Sequence, residues 1–310
     1  MSKIPVWIDT DTGVDDAVAL VTAATLEELE IVSVSAVAGN TSLENAFRNA
    51  RDVLALCGRK DIKVYPGAEK PLFIKLFTAE RVHGSNGLGG AKIPLSDAPL
   101  ETKKAWDALY EAAKEYKGEL VVCPVGPLTN IASAIIKHPD IVDYIKELNI
   151  MGGAAIGGNV TPCAEFNIYT DPQAAETVFR SGIKVNMFGL DVTIRAYLDD
   201  DDIAEISSYG NAVSDLFRDS NHLIYKAQER LNRSGLCEHD SCPVLYTVHP
   251  EWFTGHECGV YVETQGTITF GKTVTDLWTD YKFEDRHCRI FLDLDRERFV
   301  QRIKEAYRSF

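Results

Sequence analysis

The sequence predicts an α/β fold: an open, mostly parallel Rossmann-like sheet with helices on both faces and a ligand site at the carboxyl ends of the strands. Three observations carry this. Short apolar or β-branched runs alternate with helix-length amphipathic stretches along much of the 310 residues, and such alternation implies crossover connections and a parallel sheet. The polar clusters fall just after predicted strands, where open α/β sheets bind ligands. No Pro/Ser-rich linker, repeat period or low-complexity segment divides the chain, so one domain over 1–310 is expected.

The elements follow in order. Val6–Ile8 is a short apolar strand running into Asp9-Thr10-Asp11-Thr12-Gly13, and a helix extends from about Asp15 to Thr25. Ile31–Ala38 is β-branched and reads as a buried strand. Gly39-Asn40 ends it, and Thr41-x-x-Glu44 reads as the capping box of a helix reaching Leu56. Val64-Tyr65 is a strand, 102–117 an amphipathic helix and 119–125 a strand, with Pro127 suited to the first turn of the next helix. Strands at 148–152 and 184–190 flank a helix at 171–181. The stretch 194–250 reads as helical; strands at 259–264, 267–271 and 288–293 and a helix from Arg296 complete the chain.

Hydrophobic residues make up 45% and charged residues 25%, ordinary globular usage that argues against disorder. The formal net charge of −14 repels polyphosphate and makes RNA or DNA polymers poor candidate partners, so no nucleic acid partner is expected. The long uncharged stretches 120–136 and 148–164 are broken by Gly, Pro and Asn, so no membrane span is expected. MSKIPVWIDT lacks a signal-peptide profile. Seven cysteines, scattered and without a CxxC pair, read as reduced thiols, which makes a cytoplasmic location the expectation.

Asp9, Asp11, Asp15 and Asp16 crowd the end of a buried strand. Two unit charges ~5 Å apart repel by about 3 kcal/mol at an effective dielectric near 20. Such crowding is unfavourable unless a cation or shared protons compensate. The side-chain donors are all oxygens, which favours Ca²⁺ or Mg²⁺ over zinc. Helix capping accounts for one or two of the four carboxylates, not all.

DTDTGVDDAVAL resembles the opening motif of the inosine–uridine-preferring nucleoside hydrolase family, DxDPGxDD, with Thr12 in place of the usual Pro. DxDxT after a strand also opens haloacid-dehalogenase-type phosphatases, in which Asp9 would be the nucleophile and Asp11 an acid/base. VAGNTSLENA, HGSNGLGG, PVGPLTNIA, MGGAAIGGNVTPCAEFNIYTDPQAA, GLDVT, the EHD at 238–240 and TQGTITFGKTVTDLW resemble hydrolase-family segments in the same order. No segment clearly supplies the later Lys and acidic pair of the phosphatase class.

The resemblance implies calcium as cofactor, held by Asp11, Asp16, Asp240 and the backbone carbonyl of Val125. Read alone, Asp240 suits a helix N-cap, and Cys237, His239 and Cys242 form a zinc-like group that lacks a second pair. The resemblance assigns Asp15, Asn40, Asn159, Glu165 and Asn167 to the ribose, whose hydroxyls match amides and carboxylates. If 165–167 is extended, Glu165 and Asn167 point the same way; Asn159 also suits a turn beside Gly158. Met151 packs near the sugar by the same resemblance or sits in the core. His83, in a flexible Gly-rich loop, is a candidate for the base pocket. His239 adjoins a candidate ligand and exchanges protons near neutral pH. Tyr225, Gln228 and Arg230 on a 221–233 helix are candidates to contact the nucleobase and gate the site.

The function expected is hydrolysis of the N-glycosidic bond of a ribonucleoside. Asp11 is the general base toward a calcium-held water, the transition state is oxocarbenium-like, and His239 is the acid at the departing base. The family resemblance also implies a homodimer or homotetramer.

Overall fold

The computed structural model describes residues 2–230, 235–277 and 288–310, apart from the side chains of 223 and 226–230. The first half alternates β1 (Ile4–Thr10), α1 (Val14–Ala24), β2 (Leu29–Ala36), α2 (Leu43–Leu56), β3 (Val64–Pro66), α3 (Glu80–His83), α4 (Ala105–Tyr116), β4 (Leu120–Pro124) and α5 (Thr129–Lys137). Then come β5 (Ile145–Met151), α6 (Phe166–Thr170), α7 (Pro172–Phe179), β6 (Val185–Phe188), α8 (Leu190–Thr193), β7 (Tyr197–Leu198), α9 (Asp200–Ser207) and α10 (Ala212–Arg230). The remainder is β8 (Leu236–Cys237), α11 (Ser241–Val248), β9 (Phe253–Cys258), β10 (Val260–Val262), β11 (Thr273–Thr275), β12 (Cys288–Leu294) and α12 (Arg296–Arg308).

Eight strands form the central sheet in the order β3-β2-β1-β4-β5-β6-β12-β9. Every pairing is parallel except β12 with β9 at the edge. Successive side chains of a strand enter opposite cores: Val6 and Ile8 pack with α1, α11 and α12, and Trp7 packs with α4, α5 and α7. Both faces are covered, which is why the strands are apolar throughout rather than alternating. The chain runs outward from β1 to β3 and returns on the other side as β4, so strand order reverses between β1 and β4. A crevice opens at the carboxyl ends there, and Asp11 and Val125 follow directly on those two strands.

Several local expectations are corrected. The cap of α2 is Ser42, which accepts from the Asn45 amide; Thr41 instead accepts from the Asn45 side chain. Pro127 lies just outside α5, which starts at Thr129. The stretch 194–250 is not all helix, because β7 and β8 pair antiparallel within it. The strand expected at 267–271 is turn; β11 begins at Thr273 and pairs with β10. The edge strand β9 carries no clean apolar alternation and has no counterpart in the sequence reading. Among the described residues, no helix is long and apolar enough to cross a membrane.

Candidate active site

Beyond β1 the backbone turns tightly and brings its carboxylates to different places. Asp9 stays beneath the sheet end, accepting from Ser35 Oγ and from Asn130 Nδ2 at 2.7 Å. Burial pushes it to about 7. Asp9 Oδ2 is buried without a partner, and neither Asp9 nor Asp11 lines the cavity described below. Asp16 supplies the helix cap: Oδ2 accepts from Gly13 N–H at 2.8 Å and Asn40 Nδ2 at 3.1 Å, and Oδ1 accepts from Thr10 Oγ1 at 2.5 Å. Asp11 Oδ2 accepts the Asn40 amide at 2.5 Å, while its Oδ1 is buried without a partner. Gly39 and Gly126 press on this carboxylate; a Cβ would fall 2.1 Å from Oδ2 at the first and 2.8 Å from Oδ1 at the second. Asp15 Oδ1 is also partnerless.

Asp240 stands at the N-cap position of α11 but makes no side-chain cap bond. Its carboxylate joins those of Asp15 and Asp16, each offering an oxygen within 4.8 Å of the others. Pairs at that separation repel by roughly 3 kcal/mol at an effective dielectric near 20. Accordingly, burial and then mutual charge raise Asp240 well above the usual carboxylate range, and Asp16 is raised by the same two causes. Burial raises Asp15 as well. Asp11 lies outside this mutual cluster, yet its charge acts on Asp240, and it is itself held well above its ordinary value by burial and by Asp16. Desolvated carboxylate oxygens without donors are costly, and a hard divalent cation with oxygen ligands matches them. The Val125 carbonyl accepts from Asn167 Nδ2 at 2.9 Å, which leaves one of its two lone pairs.

A cavity of about 560 Å³ opens over this cluster. Asp15, Asn40, His83, Val125, Met151, Asn159, Glu165, Asn167, His239 and Asp240 all line it, so ten residues singled out from sequence share one space. Glu165 caps α6 and accepts from the amides of Gly153, Asn167 and Ile168 at 2.8–3.2 Å. Burial nevertheless lifts it to about 7. Residues 165–167 are not an extended run: Glu165 is extended and Asn167 helical, and the cap geometry brings both side chains to the cavity. Asn159 Oδ1 accepts from Phe166 N–H at 2.9 Å. Met151 is buried and lines the cavity too, its sulfur 3.3 Å from Asn167 Nδ2.

The histidines sit on opposite elements. His83 ends α3 and is buried, not part of a free loop; its Nδ1 accepts the Val14 amide at 3.1 Å. Burial lowers it to about 4. His239 Nδ1 lies 2.7 Å from Thr193 Oγ1, and burial lowers its pKa while Asp15 opposes. The Gln228 and Arg230 side chains lie outside the described residues, and the Tyr225 hydroxyl bonds Asp200 at 3.3 Å. The zinc-like grouping does not assemble: Cys237 lines the cavity, whereas Cys242 is buried against the Glu238 carbonyl.

Sequence reasoning missed Phe77, Arg81, Phe166, Asn221 and Ile224, which also line the cavity. Phe77 and Phe166 have ring centroids 6.2 Å apart. Asn221 and Ile224 are three apart on α10, one helical face, and that spacing was available to find them. Phe77 carried no such signal, because it lies in an irregular stretch.

A family profile described as inosine-uridine preferring nucleoside hydrolase matches residues 6–301. The pyrimidine-specific ribonucleoside hydrolase RihA of Photobacterium profundum is 38% identical over 310 residues, 99% of each chain. That of Klebsiella pneumoniae is 40% identical over 299 residues, 96% of each. Among solved structures, a plant nucleoside hydrolase, PpNRh1, superposes with TM-score 0.93 at 30% identity over 99% of both chains. A purine-preferring ribonucleoside hydrolase from Gardnerella vaginalis superposes with TM-score 0.92 at 32% identity, over 99% of this chain and 100% of its own.

Proposed function

This chain belongs to the inosine–uridine-preferring nucleoside hydrolase family, whose members hydrolyse ribonucleosides to ribose and free base, and from that premise we propose how its cavity performs the reaction. The observation that carries the proposal is the cluster of Asp15, Asp16 and Asp240 carboxylates under the cavity, whose mutual repulsion a cation would relieve. A calcium ion held by Asp11, Asp16, Asp240 and the Val125 carbonyl would act as a Lewis acid that makes water a stronger nucleophile. Asp11 takes the proton of that water as general base: its Oδ2 is anchored by Asn40, and its free Oδ1 accepts.

The ribose lies over the cavity floor. Asp15, Asn40, Asn159, Glu165 and Asn167 meet its hydroxyls with mixed donors and acceptors, and Met151 packs beside them. Glu165 is already fixed by three backbone amides, so little side-chain freedom is lost when sugar binds. These contacts favour the flattened, oxocarbenium-like sugar of the transition state. His83 and His239 stand on the walls where the departing base receives hydrogen bonds, with Phe77 and Phe166 beside it. The names of the relatives at 38–40% identity favour pyrimidine nucleosides as substrates.

We further place the enzyme in the cytoplasm, on its cysteine usage, and assign it a homodimeric or homotetrameric assembly by family resemblance. We treat 1–310 as one catalytic domain, since Asp15 and Asp240 come from distant parts of the chain.

The test is ribose release from uridine, cytidine, inosine and adenosine, with calcium and with a chelator. Turnover should require the cation and fall by at least ~10³-fold in Asp11→Ala. Turnover that survives chelation removes the metal assignment, and full activity in Asp11→Ala removes the base assignment.

A further inference from the structure

We infer that Thr193 is a positioning residue: its hydroxyl donates to His239 Nδ1 and so keeps the His239 proton on Nε2, facing the departing base. The inference rests on the reading of His239 as the group that meets the base.

Thr193 ends the four-residue helix α8, directly after the carboxyl end of β6, and its side chain is fully buried. The 2.7 Å contact between Oγ1 and Nδ1 can run in either direction, and counting bonds decides which. Among the described residues Thr193 Oγ1 has no other hydrogen-bond partner within reach. If Nδ1–H donated, the hydroxyl proton would be buried without an acceptor, and unpaired buried donors are rarer than under-used acceptor lone pairs. With the hydroxyl donating, its proton is placed and only oxygen lone pairs go unused. The remaining ring proton then sits on Nε2, on the part of His239 free to meet a ligand in the cavity it lines.

His83 supports the same logic. Its Nδ1 accepts from a backbone amide, Val14 N–H at 3.1 Å. An amide only donates, so His83 too carries its single proton on Nε2. Two neutral donors, each pinned through Nδ1 by a different element, therefore flank the cavity. When the C1′–N bond breaks, its electron pair leaves on the base. The water oxygen bonds to C1′, Asp11 takes one water proton, and the base anion is held by Nε2–H until solvent protonates it, which makes His239 a hydrogen-bond donor to the base rather than the acid expected from sequence. Overall, nucleoside and water give ribose and base.

The test is a leaving-group split. Thr193→Val keeps the shape but removes the donor, and Thr193→Ser restores it. Both are assayed on uridine and on 4-nitrophenyl β-ribofuranoside, whose phenolate departs without a hydrogen bond. Thr193→Val should lose on the order of 10–100-fold in kcat on uridine and stay within about threefold on the aryl riboside, with Thr193→Ser near wild type on both. Equal losses on both substrates, or no loss on uridine, overturn the inference. A wild-type enzyme inactive on uridine and on the aryl riboside would instead refute the hydrolase reading. Should Thr193→Val not fold, ¹H–¹⁵N correlation of the wild-type His239 ring decides: a proton on Nε2 supports the assignment and a proton on Nδ1 overturns it.

Discussion

Gly13→Ala is the sharpest steric probe of the site. Gly13 caps α1 with φ −94° and ψ −155°, a conformation open to alanine, so backbone strain is absent. The substitution by itself would stabilise by about 0.4–1 kcal/mol, through the unfolded chain. Space is the obstacle. The new Cβ falls 2.5 Å from His83 Nδ1 and 2.8 Å from Asn40 Nδ2, whereas unstrained contacts need roughly 3.5 Å. The imidazole must retreat by about 1 Å, which breaks its bond from Val14 N–H at a cost of about 1–3 kcal/mol for a buried donor left unpaired.

The first effect offsets part of the second. Net destabilisation should stay below about 2.6 kcal/mol, a melting shift of several degrees. Activity should respond more strongly, because a misplacement of about 1 Å in two groups that line the cavity costs on the order of 10²-fold if they hold the substrate. The assay is kcat/KM for ribose release from uridine, measured beside thermal unfolding and repeated in a His83→Ala background. There the penalty should shrink, since one of the two clashes is gone. Wild-type kcat/KM in Gly13→Ala, or the same penalty in both backgrounds, would refute the reasoning.

Stability of the chelated protein should depend on pH through the raised carboxyls. Asp9 and Glu165 rise from ordinary values of 3.8 and 4.5 to about 7, so the stability they contribute is present below pH ~4 and lost as pH rises through 7. The proposed calcium site needs the deprotonated cluster, so the melting increment on adding calcium should be larger at pH 7.5 than at pH 5, and an equal or reversed increment contradicts the site. Glu165→Gln puts an amide NH₂ against backbone donors; about 1–3 kcal/mol of stability should be lost, read by urea unfolding, together with at least ~10-fold in kcat/KM. The acidic floor should reject phosphate, so inosine monophosphate should turn over at least ~10²-fold more slowly than inosine, and comparable rates would show that the cavity charge does not govern selection. Asp240→Asn removes a charge from the cluster and should weaken calcium affinity at least ~10-fold by calorimetry; unchanged affinity removes Asp240 from the ligand set.

The acidic loop after β1, the Gly-rich stretch before Glu165 and the pair His239-Asp240 were legible in sequence because each sits in a short contiguous motif at a strand end or helix start. The parallel sheet followed from apolar runs spaced by helix-length segments. Edge strand β9, the β7–β8 pair and the displaced β11 were not legible, since short or half-exposed strands depend on pairing partners rather than on their own composition. The Asp240 case shows the limit best. The same Asp-Ser-Cys-Pro stretch suits an ordinary cap, and only packing against α1 turns the carboxylate toward Asp15 and Asp16.

Sequence alone determined the chemistry on offer: oxygen donors, sugar-matching amides and two histidines, all carried by local patterns. Tertiary structure decided which of them meet. It buried Asp9 beneath the sheet, set Asp15 rather than Asp11 closest to Asp16 and Asp240, and pinned each histidine by one nitrogen. Those outcomes depend on contacts between residues up to 225 positions apart, as from Asp15 to Asp240, and no local pattern encodes the orientation of a side chain against so remote a neighbour.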